Sequence, residues 1–146
     1  MLTLFFIHEK CSNNIMITMT DEKIHDSMQR LCDDVLDMDN IRFAGLISNS
    51  GNLYAGGFNE GITPYEDDKK RRLMYMRFAL ESCFRSDFDN SFGAFRYSTV
   101  QRERVSILTI DICNYLLLVF TEPDIDIHAL AGRIQAILDE NETVFH

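Results

Sequence analysis

The chain is poor in the residues from which metal, redox and nucleotide sites are usually assembled. Its four cysteines, Cys11, Cys32, Cys83 and Cys113, stand 21, 51 and 30 positions apart with no CxxC pair. That spacing fits neither a zinc ribbon nor a compact disulfide framework, and reads as buried thiols in a reducing compartment. There is no GxSxG, HExxH, Walker-type loop or Rossmann fingerprint, so no catalytic residue, metal ligand or cofactor site is expected. Glu122, Asp124 and Asp126 cluster, but helix capping explains them without a cation. Basic residues are also scarce. Fourteen Lys and Arg face 23 Asp and Glu, a formal charge of −9, which repels phosphate backbones and sets nucleic acid aside as a partner. Long apolar runs are missing as well. Leu2 to Ile7 is too short to span a membrane and has no basic residue before it, as a secretion signal would. No membrane partner is expected, and a cytoplasmic protein is.

Against these absences stands one strongly helical stretch, Pro64 to Arg85. Proline suits a first turn because its missing N–H has no partner there. Glu66, Asp67 and Asp68 place negative charge at the positive end of the helix dipole. Each carboxylate has a cation four residues on, Lys70, Arg71 and Arg72 in turn, and such pairs contribute about 0.2–0.5 kcal/mol each. The run Lys69–Arg72 therefore reads as a salt-bridged, solvated face. Leu73, Met76, Ala79, Leu80, Cys83 and Phe84 share one apolar stripe, expected to lie on a sheet. Met74 and Phe78 fall on a different face with Tyr75 beside them, and burying each is worth roughly 1.5–3 kcal/mol. They are covered either by another segment of the same chain or by a subunit or partner, with a cofactor pocket as the remaining reading, and Met74, Tyr75 and Phe78 are accordingly the candidate partner or dimer face.

The remaining elements follow from periodicity. Asp21–Met38 repeats apolar residues at helical spacing from Ile24 to Leu36, with His25 and Asp26 outside the stripe as a surface pair. Ile41–Ser48 and Asn52–Phe58 read as a hairpin about Asn49-Ser50-Gly51, with one positive-φ position. Gly56-Gly57 predicts a bulge or a close backbone approach beneath the long helix. A polar connection over Asp87–Phe92 leads to three strands, Gly93–Gln101, Arg104–Asp111 and Tyr115–Glu122. Their links are too short for crossover helices, so they form an antiparallel meander. Asp111 at a strand end reads as a turn residue. Tyr115–Phe120 is apolar without alternation, as in a strand covered on both faces. Pro123 ends it, and Asp124 or Asp126 caps a last helix, with fraying expected from Asp139.

The sum is an α+β fold, a single domain of order α-β-β-α-β-β-β-α: a five-stranded antiparallel sheet and its helices in one layer pair. Residues 1–19 read as a flexible extension, with Met16 or Met19 as equally serviceable starts, residues 20–140 as the domain and residues 141–146 as a frayed tail.

This order, with a long helix between a hairpin and a meander, resembles the roadblock/dynein-light-chain superfamily and its profilin-like relatives. More closely, IRFAGLISNSGNLYAGGF, DDKKRRLMYMRFAL, FGAFRYSTVQRERV and LLLVFTEPD resemble a family of small uncharacterised proteins from ammonia-oxidising archaea. The resemblance implies a non-enzymatic protein that forms homodimers or heterodimers, joining sheets edge to edge and bringing central helices together. It also implies a scaffold or regulatory role, with small Ras-like GTPases among the partners. The alternative is a small-molecule sensing domain of the same architecture. Its pocket would lie between the central helix and the sheet, near Tyr54, Gly56, Gly57 and Tyr97.

Overall fold

The computed structural model describes residues 21–141; the expected extension over residues 1–19 and residues 142–146 of the expected tail lie outside them. The order is α1 (Asp21–Leu36), β1 (Ile41–Ser48), β2 (Leu53–Phe58), α2 (Asp68–Cys83), β3 (Ser98–Gln101), β4 (Ser106–Ile112), β5 (Tyr115–Thr121) and α3 (Ile127–Glu140). Between α2 and β3, where a plain polar connection is predicted, the chain makes a 3-10 turn over Arg85–Phe88 and one helical turn over Asp89–Phe92. The strands form one sheet in the order β2-β1-β5-β4-β3, with every pairing antiparallel.

Helices cover both faces of this sheet, so the fold has three layers rather than the single layer pair expected. On one side Ile24, Met28, Leu31, Cys32 and Val35 of α1 and Leu130, Ile134 and Leu138 of α3 form a core with Ala44, Leu46, Leu117 and Val119. On the other, α2 packs on Phe43, Ile47, Leu116, Leu118 and Phe120. The unbroken apolar run of β5 has this cause: its successive side chains point to opposite faces, and both are covered.

Capping decides the helix ends. The Asp67 carboxylate accepts the Lys70 N–H at 2.8 Å, so α2 begins after Asp67 and Pro64 stands outside it. Asp126 caps α3 in the same way, accepting from the Ala129 N–H at 3.0 Å, while Asp124 takes a positive φ just before it. The helix α3 runs to Glu140, and the Asn141 side chain that follows donates to the Ile137 carbonyl at 2.8 Å.

Two glycines are demanded by close approach. At Gly51, with φ +83°, a Cβ would lie 2.8 Å from the Met76 Cα, so α2 passes directly over the β1–β2 turn. At Gly56, with φ +86°, a Cβ would lie 2.1 Å from the Ala44 carbonyl oxygen and 2.9 Å from the Cys32 sulfur. The Gly56 N–H donates to Gln29 of α1 at 3.0 Å. The close approach is therefore beneath α1, not beneath the long helix. The ladder irregularity falls nearby at Tyr54, between the pairs Leu46–Ala55 and Ile47–Leu53.

Candidate functional site

The central helix packs by the face opposite to the one its apolar stripe predicts. Tyr75 and Ala79 are buried in the core against β1, β4 and β5, and Met74 and Phe78 are half-buried beside them. Leu73, Met76, Leu80 and Phe84 are each more than half exposed, Leu80 at 60%. Residues 71, 74, 75, 78, 79 and 82, the less exposed positions, do follow the i, i+3, i+4, i+7 rule of a packed face. That face is hard to see in sequence because Arg71 and Ser82 interrupt it.

Two arginines make the polar face workable. Arg71 donates to Glu66 at 2.9 Å and to Asp68 at 2.9 Å, and its guanidinium lies over the Phe58 ring. The hydrogen bond to Glu66 is the main reason its pKa is raised. Arg85, just past the end of α2, donates to Asp111 at 2.7 Å and to Thr109 at 3.1 Å and lies over Phe95. Asp111 is thus a strand residue in an ion pair rather than a turn residue. Tyr75 sits against Phe43, and burial pushes its hydroxyl up to about 12, with Arg71 opposing.

The predicted ion pairs of α2 are not those formed. Glu66 and Asp68 both go to Arg71, and Asp67 caps the backbone. Among the described residues no carboxylate pairs with Lys69, Lys70 or Arg72, and all three are exposed. The exposed apolar row continues beyond α2 into Phe88 and Phe92, whose rings stack at 5.9 Å.

Beside α2, towards β3, runs an open groove of about 620 Å³. Phe58, Met74, Phe78, Val105, Ile107 and Phe120 supply its apolar lining, and Arg42, Lys70, Arg77 and Arg102 supply its cations. Arg42 is held there by Glu122 at 3.2 Å and by the ring of Tyr65. The groove borders β3, an edge strand of the sheet. Val100 of that strand lines it and is exposed.

The residues named for a sensing pocket do not converge on this groove. Tyr54 meets His25 and Tyr115, and Gly56 lies under α1. Tyr97 pairs with His128 at a separate cleft of about 600 Å³ under α3. Among the described residues no three His, Cys, Asp or Glu side chains gather as a metal set. No described helix is long and apolar enough to cross a membrane. Cys32 is a buried free thiol, as expected, whereas Cys83 is an exposed free thiol and Cys113 is disulfide-bonded, so among the described cysteines the buried-thiol reading holds for Cys32.

A five-stranded antiparallel sheet of this order, with two helices on one face and a long helix on the other, is the roadblock/LC7 fold. It superposes on MglB of Myxococcus xanthus with a TM-score of 0.63 at 14% identity, over 86% of this chain and 91% of that one. A further MglB structure, in a tetrameric arrangement, gives 0.63 at 13% identity, over 82% and 88%. The Roadblock/LC7 domain from Streptomyces avermitilis gives 0.55 at 16% identity, over 77% and 92%. No curated protein matches the sequence. The chain belongs to a family of unknown function, DUF6659, whose model matches residues 19–146.

Proposed function

We propose that the protein is a non-enzymatic regulatory platform of the archaeal cytoplasm that self-associates as a homodimer and has a small Ras-like GTPase among its partners. The observation that carries this reading is the groove between α2 and the open β3 edge. An edge strand with unpaired backbone groups beside an apolar groove calls for cover, and a second copy supplies both a strand and a helix flank. Met74 and Phe78 line that groove, while Tyr75 supports them from the core. The tetrameric arrangement of one MglB structure supports self-association.

The test is absolute mass by light scattering over a range of concentrations. A particle of twice 16.9 kDa is expected, and Val100→Glu should convert it to a monomer that keeps its far-UV circular dichroism and unfolds at a melting temperature no longer dependent on protein concentration. A monomer at every concentration rejects the dimer. Titration with a Ras-like GTPase in its GTP and GDP forms tests the partner; equal failure to bind in both forms rejects it. A second reading, small-molecule sensing, is favoured by one observation, the cleft under α3 with its Tyr97–His128 pair. A metabolite that raises the melting temperature of wild type but not of Tyr97→Phe would support it.

A further inference from the structure

We propose that the outward face of α2 is a docking seam for an acidic amphipathic helix of a partner protein. The face begins with Leu73, Met76, Leu80 and Cys83, at spacings of three, four and three, all exposed. Alternate steps of three and four are those of a seam that receives a second helix. Beside this seam stand Lys69, Arg72 and Arg77, none with a carboxylate partner among the described residues. The acids of α2 are turned elsewhere: Asp68 to Arg71 and Glu81 to Arg85. An apolar seam flanked by these cations selects, by local complementarity, a helix carrying carboxylates beside its own apolar row.

Two other occupants fit less well. A second copy docking by this same face would bring Lys69, Arg72 and Arg77 into the interface twice, with the helix acid Glu81 already paired with Arg85. An anionic lipid surface extends past the seam and would also meet the rest of the acidic chain, which a single helix seated on the seam does not. The seam adjoins the groove toward β3 at Leu73 and Arg77, which line it, but Met76, Leu80 and Cys83 do not, so the centre of the seam lies outside the groove. The inference therefore stands apart from the dimer reading: a monomer that binds the helix keeps the seam and loses only the dimer.

The probe is a synthetic amphipathic helix of about five turns, with leucine on its seam and glutamate beside it. A counterpart carries lysine in place of each glutamate. Fluorescence anisotropy with the full chain should show salt-sensitive binding of the glutamate peptide and none of the lysine peptide. Met76→Glu with Leu80→Glu should weaken binding at least about tenfold while leaving melting temperature and solution mass unchanged. Lys69→Glu with Arg72→Glu should exchange the preference, so that the lysine peptide binds. Equal binding of both peptides, binding of neither, or glutamate-peptide binding that survives both double variants overturns the proposal. Capture of the chain by phosphatidylserine vesicles in place of the peptide overturns it in favour of a membrane surface.

Discussion

Replacing Arg85 with methionine tests what holds the central helix in its observed orientation. The Arg85 side chain is 9% exposed and that of Asp111 is 21% exposed, with 2.7 Å between their charged atoms. The same guanidinium also serves Ser98 and Thr109. Methionine keeps much of the apolar stem but leaves the carboxylate of Asp111 largely buried without this partner. Removing one member of a buried pair costs about 3–5 kcal/mol, and the partial exposure of Asp111 puts the expectation at the lower end, about 3 kcal/mol. For a chain of this length that is a fall in melting temperature of roughly 10 °C. Urea unfolding of Arg85→Met, Asp111→Leu and the double variant closes the cycle. The double variant should be less damaging than the two single losses added, by about 1–3 kcal/mol. A single loss below about 1 kcal/mol, or strict additivity, would refute the view that this pair anchors α2.

Other outcomes follow from the same geometry. Leu80→Ser should change stability by no more than about 0.5 kcal/mol, whereas Tyr75→Ala should cost about 3–5 kcal/mol; the reverse ranking in urea unfolding would return α2 to its sequence-predicted face. Gly56→Ala should cost more than about 1 kcal/mol, because a Cβ there meets a backbone oxygen and a positive φ; an unchanged melting temperature would contradict the close approach beneath α1. Burial raises Cys32 from 9.0 to about 12, and burial likewise raises Tyr75 and Tyr115 from 10.0 to about 12. The unfolded chain gives up these protons first, so stability should be full below pH 9.0 and fall as pH rises towards 12. Melting curves across that window check the sign, and Tyr75→Phe should shallow the decline.

Several strand and helix limits were legible in the chain because they depend on local signals, but β3 starts at Ser98 rather than at the expected Gly93, and α2 spans Asp68–Cys83 rather than Pro64–Arg85. The Asn49-Ser50-Gly51 turn, the acid caps and the unbroken apolar run of β5 each express a requirement met within a few residues. Tyr115–Thr121 lies within one residue of its expected end, and Ile41–Ser48 coincides with its expected strand. The candidate site was only half legible. That the long helix carries more apolar residues than one face needs is plain from Leu73, Met74, Met76, Phe78, Leu80 and Phe84. Which of them meets the sheet is not.

By itself, then, the sequence determined the order of elements, the antiparallel meander and a central helix with two apolar faces. Periodicity states which residues share a face, and local hydrogen bonds state where a helix starts. Only the tertiary structure decided which face of α2 is buried, that α1 and α3 share the opposite side of the sheet, and that Glu66 and Asp68 both serve Arg71. Those choices depend on groups far apart in sequence, above all Arg85 meeting Asp111 across the end of β4. A helix that is apolar on both sides gains comparable burial either way, so the long-range ion pair and the approach over Gly51 settle its rotation.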